Sequence, residues 1–125
     1  MEIAITTFET CVGVCVSGHL DRRTTPELED VLQKLIATGG QHSVILDLTA
    51  ATEMSSAGLR LLISVAKRLR NSKPAGDLRL VAPGKRIVEV LDLAGLLTVL
   101  PAYESLEEAV ASFDRAKSQE PASVK

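Results

Sequence analysis

Tryptophan is absent, and the only aromatic side chains are Phe8, Tyr103 and Phe113. Charge of one sign is also lacking, with 14 basic against 16 acidic residues and a formal charge of −2. The chain therefore offers neither the stacking platform nor the positive field that nucleic acid requires. No apolar stretch approaches the roughly 20 residues of a membrane span, so direct insertion into a bilayer is not expected. The opening MEIAITTFET has no basic segment and no apolar h-region. It does not read as a signal peptide, and a cytoplasmic location is expected. Cysteine is scarce too. Cys11 and Cys15, four residues apart on a strand, would share a face yet lie too far apart to bridge. His19 and His42 are isolated, so no metal-ligand set forms and no cofactor is expected. Both cysteines read as small buried residues of a reduced compartment.

What the chain does contain is an ordinary globular balance: 125 residues, 46% hydrophobic and 24% charged. That is enough for one domain with a real core and too little for two. Ile3 and Ile5, then Val12, Val14 and Val16, alternate with other residues around Phe8-Glu9-Thr10, a period of two that predicts a β-hairpin. In TTPELEDVLQKLIATGG, Leu28, Val31, Leu32, Leu35 and Ile36 fall on one helical face. Thr25 is placed to cap that helix, Pro26 to occupy its first position and Gly39-Gly40 to end it. SVILDL (43–48) reads as a strand covered on both sides.

From Ser56 to about Asn71, Leu59, Leu62, Ile63, Ala66 and Leu69 share a helical face that Leu61 and Val65 widen. Arg60, Ser64 and Lys67 are left as a polar stripe. Pro74-Ala75-Gly76-Asp77 turns into a strand LRLVA (78–82), and Pro83-Gly84 leads to a short helix through Ile87, Val88 and Leu91 that ends at Gly95. LTVL (97–100) reads as the last strand. Ser105 and Glu108 form a capping box for a final helix with Leu106, Ala109, Val110 and Phe113 inward. The order ββαβαβαβα predicts a single α/β domain, with a mixed sheet of four or five strands and about four helices. It should span residues 1–117, with 118–125 a flexible C-terminal tail lacking apolar anchors.

The stretch TEMSSAGLRLL (52–62) places two hydroxyls ahead of a glycine at a helix start. Ser55 or Ser56 can cap the helix by accepting one of its free N–H groups. A cap alone explains neither the second serine nor Gly58, since glycine inside a helix costs about 1 kcal/mol against alanine. Close approach of another backbone or of a partner would explain it. A serine nucleophile is disfavoured: G-x-S-x-G needs glycine where Met54 stands, and both histidines lie upstream in no triad order. A phosphate acceptor is the third possibility, because N–H groups and the helix dipole welcome an anion at that end. Phosphorylation there would add about −1.5 to −2 charges without melting the helix.

VILDLTAATEMSSAGLRLL resembles the central segment of the STAS domain, shared by bacterial anti-sigma factor antagonists and sulfate transporter tails. GHLD (18–21) is similar to the family's G-x-L-D element after the second strand, and the resemblance covers about residues 2–115. It implies an anti-sigma factor antagonist in a partner-switching cycle. Unphosphorylated, such a protein binds an anti-sigma factor, a serine kinase with a histidine-kinase-like ATP fold. Phosphorylation dissociates the pair, and a metal-dependent serine phosphatase resets it. By position the acceptor is Ser56, with Ser55 the second choice, and Asp21 would sit beside it. The implied partner surface comprises Asp21, Met54, Ser55, Ser56, Ala57, Gly58 and Arg60. Ser55 stands where the family often has aspartate, and Ala57 replaces a second serine or threonine. PGKR (83–86) lacks Walker A spacing, so the chain is expected to be a kinase substrate and not an enzyme. The resemblance also allows a STAS subunit of a membrane-associated transport complex without a phospho-switch, or a domain binding a small ligand. Lys67, Arg68, Arg70 and Lys73 read as a solvated helix end complementing the dipole.

Overall fold

A computed structural model of the chain describes residues 2–39, 42–72, 76–81 and 84–118. The elements are β1 (Glu2–Thr7), β2 (Val12–Leu20), α1 (Thr25–Gly39), β3 (Ser43–Met54), α2 (Ser56–Arg70), β4 (Asp77–Val81), α3 (Lys85–Leu93), β5 (Ala102–Tyr103) and α4 (Leu106–Ser118). The sheet has the order β1-β2-β3-β4-β5, antiparallel between β1 and β2 and parallel from β2 onward. This is the expected mixed α/β sheet.

Because the parallel strands step across the sheet in one direction, right-handed crossovers put α1, α2 and α3 on the same face. There Leu28, Leu32, Leu62, Leu69, Ile87 and Leu91 pack on Val14, Val16, Leu46, Leu48 and Leu80 as one large core. The opposite face holds a smaller core of Cys11, Ile45, Val81, Ala109 and Phe113 under α4. Burial on both faces explains the nearly unbroken apolar run at 44–46.

Four expectations need correction. Residues 97–100 are not a strand: Gly95 turns the chain at φ 73°, and a short 3-10 helix follows over Leu96–Thr98. The Leu96 carbonyl accepts the N–H groups of Val99 and Leu100, and Leu96 and Leu100, four apart, are the buried pair. The last strand is Ala102–Tyr103. Thr25 does not cap α1. The Thr24 carbonyl accepts the Glu27 and Leu28 N–H groups, and the cap shifts back one residue while buried Thr25 takes the first helical position. Ile63 is 36% exposed, because the buried side of α2 centres on Leu61, Leu62, Val65, Ala66 and Leu69. Cys15 is half-buried rather than buried.

β3 is also longer than its apolar run, continuing to Met54. Its register with β2 slips twice: between Cys15↔Asp47 and Ser17↔Ala50, and between Gly18↔Ala51 and His19↔Glu53. Each slip is a bulge that inserts one extra residue in β3. At the far end, the capping box forms as Ser105 Oγ accepts the Glu108 N–H at 3.1 Å. The Glu108 carboxylate reaches the Glu104 N–H in turn, one residue before the expected one. Helix α4 runs to Ser118, so the expected boundary after 117 falls in its last turn. Pro74, Ala75, Ala82, Pro83, Gly40, Lys73 and the tail from 119 lie outside the described residues.

Candidate functional site at the start of α2

The carboxyl ends of β2 and β3 stand side by side, paired through Leu20↔Met54. Their loops open into α1 and α2, and such strand ends are where α/β sheets present functional groups. The Ser55 N–H donates to the Leu20 carbonyl at 2.8 Å, which ties the two loops together. Gly58 is what permits this approach. A Cβ there would stand 2.8 Å from Met54 Cγ and 3.2 Å from the Leu20 carbonyl oxygen. Close backbone contact is therefore the reason for glycine in the first turn.

The two serines do different work. Ser55 is the N-cap, in extended conformation at φ −93° and ψ 178°, and its Oγ accepts the Ala57 N–H at 3.2 Å. Its carbonyl accepts the Leu59 N–H at 3.1 Å. Ser56 is the first helical residue and is exposed. Among the described residues no hydrogen bond engages its hydroxyl, and neither serine is bonded to a histidine. No acidic residue occupies the first turn of α2, so its positive dipole end is uncompensated. Arg60 lies exposed one turn further on. Met54 and Gly58 are buried, so they support the site from beneath and present no side chain to a partner. Ala57 is half-buried.

Asp21 follows Leu20 directly, on the neighbouring loop. Its Oδ1 accepts the N–H groups of Arg23 at 2.9 Å and Thr24 at 3.2 Å. These bonds, the Arg23 one foremost, hold the carboxyl below its ordinary range. The Thr24 hydroxyl completes the loop by donating to the His19 carbonyl at 2.7 Å. Sequence reasoning missed an ion pair at the rim, between Arg86 of α3 and Glu53 of β3 at 2.6 Å. Its partners are 33 positions apart and no local pattern links them. Among the described residues no group of His, Cys, Asp and Glu could hold a metal ion, and no helix is long and apolar enough to cross a membrane.

Comparison with known proteins bears on the family and the fold. The STAS domain family model matches residues 2–109. BtrV of Bordetella bronchiseptica, which bears the name of an anti-sigma factor antagonist, is 31% identical over 116 residues, 93% of this chain and 97% of that protein. An anti-sigma factor antagonist from Mycobacterium paratuberculosis has a similar crystal structure, with a TM-score of 0.81, 26% identity, and coverage of 90% of this chain and 93% of that one. The antagonist SpoIIAA shares the fold in its unphosphorylated form, at a TM-score of 0.77 and 20% identity over 95% of this chain and 99% of that one. Its phosphorylated Bacillus form gives 0.69 and 19% over 92% and 99%. The chain belongs to the STAS domain family, among its anti-sigma factor antagonists.

Proposed function

We propose that this protein is an anti-sigma factor antagonist operating by partner switching, with Ser56 as the phosphate acceptor. Unphosphorylated, it binds an anti-sigma factor that is itself a serine kinase of the histidine-kinase-like ATPase fold. Phosphorylation releases it, and a metal-dependent serine phosphatase restores the binding form. The protein is the substrate of this cycle and catalyses no step of it.

One observation supports the assignment: the capping oxygen and the unengaged, exposed hydroxyl belong to different serines. Ser55 has its oxygen committed to the Ala57 N–H, whereas the Ser56 hydroxyl is exposed and unengaged. A phosphate on Ser56 would meet the open dipole of α2 and leave the cap intact. The surface potential would change sign locally while the fold persisted. Asp21, Ser55, Ser56, Ala57 and Arg60 would form the exposed or half-exposed part of the contact.

Incubation with the partner kinase and ATP tests this. One phosphate is expected, located at Ser56 by fragmentation mass spectrometry. Ser56→Ala should remain unphosphorylated and still bind the kinase, while Ser56→Asp should bind more weakly. Phosphate on Ser55 alone would move the role one residue, and no phosphate on either serine by a kinase that binds would end the proposal.

A further inference from the structure

Antiparallel pairing directs a strand's N–H and C=O groups alternately toward its partner and away from it. At the hairpin the Phe8 N–H bonds to the Cys11 carbonyl, and the register then runs unbroken from Thr7↔Val12 to Glu2↔Ser17. By that alternation Glu2, Ala4 and Thr6 use their backbone groups on β2, and Ile3, Ile5 and Thr7 turn theirs outward. β1 is the edge of the sheet, so among the described residues no strand receives them.

Edge strands are ordinarily protected by lysine, proline, a bulge or very short length. β1 has none of these: it is six residues long, its one charge is Glu2 at the end, and its register has no slip. Ile5 is 47% exposed. An open groove of about 570 Å³ beside this edge is lined by β1 from Glu2 to Ile5, by Cys15 and Ser17 of β2 and by Glu27 and Val31 of α1. The outward backbone groups of Ile3, Ile5 and Thr7 can take one further strand.

We propose that the strand is β1 of a second copy of this chain, paired antiparallel about a two-fold axis at Ile5. That register sets Ile5 opposite Ile5 of the second copy, and Ile3 opposite its Thr7. All of these residues face outward, so each of the three pairs exchanges two hydrogen bonds. On the other face Ala4 meets Thr6 of the second copy and Glu2 meets its Phe8, so no like charges are opposed. The contact is isologous and closes at two chains, joining two five-stranded sheets into one. A single strand pair buries less than the roughly 1,200–2,000 Å² of stable complexes, so the dimer is weak and concentration-dependent. Ser56, on α2 beyond β2 and α1, stays outside it, and the proposal is independent of any role for that serine.

Sedimentation velocity from micromolar to millimolar chain should show monomer passing to dimer. Ile5→Lys sets two ammonium groups face to face on the axis and should remain monomeric throughout, with an unchanged circular dichroism spectrum. In a Cys15→Ser background, oxidised Ile5→Cys should form a disulfide-linked dimer, because opposed residues of a bonded pair stand about 5.5 Å apart, within disulfide reach. Ile3→Cys should not, since Thr7 lies opposite it; this pair also decides the matter if Ile5→Lys fails to fold. A wild type that stays monomeric at millimolar concentration overturns the proposal. So does a folded Ile5→Lys that still dimerises, or a dimer broken by Ile63→Lys in its place.

Discussion

The carbonyl oxygen of Leu20 stands 3.2 Å from the point that a Cβ on Gly58 would occupy, and the same oxygen accepts the Ser55 N–H. The loop after β2 and the first turn of α2 are therefore held by one atom. Gly58→Ala should gain about 1 kcal/mol of helix propensity. It should lose more, about 1–3 kcal/mol, as the added methyl presses on backbone that cannot turn aside. Urea titration should show net destabilisation, against the usual sign for glycine to alanine in a helix.

The adjacent serines should separate cleanly. Ser55→Ala removes the cap and should cost about 0.5–2 kcal/mol. Ser56→Ala removes a hydroxyl without partners and should stay within about 0.5 kcal/mol of wild type. Ser56→Asp should fold as well as wild type or slightly better, since it adds negative charge to an uncompensated helix start. Denaturation midpoints for the three variants measure this directly.

Neighbouring apolar positions on α2 should differ as sharply. Leu62 is 1% exposed and Ile63 is 36% exposed. Leu62→Ala should destabilise by about 2–5 kcal/mol through the cavity it leaves. Ile63→Ala should cost about 1 kcal/mol or less.

Asp21 should contribute an acid-sensitive part of the stability. Backbone N–H bonds, with that of Arg23 first, lower its carboxyl from the ordinary 3.8, so the folded state binds the proton less readily than the unfolded chain. The contribution is present above that ordinary value and is lost as pH falls through the lower folded one. Asp21→Ala should thus be less stable than wild type at neutral pH, and the difference should close in acid below the ordinary 3.8.

The two thiols should react unequally. Burial pushes the Cys11 thiol up, and burial together with the Asp47 charge pushes up that of half-buried Cys15. At neutral pH a disulfide reagent should modify Cys15 slowly, and Cys11 only after denaturant is added.

Much of this was legible in the sequence. The apolar spacing of α1 and α2, the Ser105–Glu108 cap and the serine pair ahead of Gly58 are local signals, and local signals survive without tertiary information. The misses are tertiary in origin. Beyond Leu48 the buried positions of β3 fall at Ala51 and Met54, three apart, because each bulge breaks the period of two. LTVL has strand-like composition, yet the left-handed Gly95 ahead of it and the burial of Leu96 and Leu100 impose a helical turn. Which serine caps and which stays free depends on where β3 ends, and composition does not reveal that. The Glu53–Arg86 pair exists only once α3 is docked beside β3.

The two bulges in β3 also decouple chain length from chain position. Loss of one codon at Thr49 or Ala50 would restore plain alternation there and keep Leu48, Ala51 and Met54 on their present face. The pair Leu20↔Met54 would stay in register, so the start of α2 would keep its place beside Leu20. A codon lost within Val44–Leu46 would instead rotate the following core residues to the wrong side of the sheet. Loss of one residue is therefore tolerated by the core at two points of this strand, both close to the helix start. There a change in gene length is absorbed by the strand, and Ser55 and Ser56 keep their place beside Leu20.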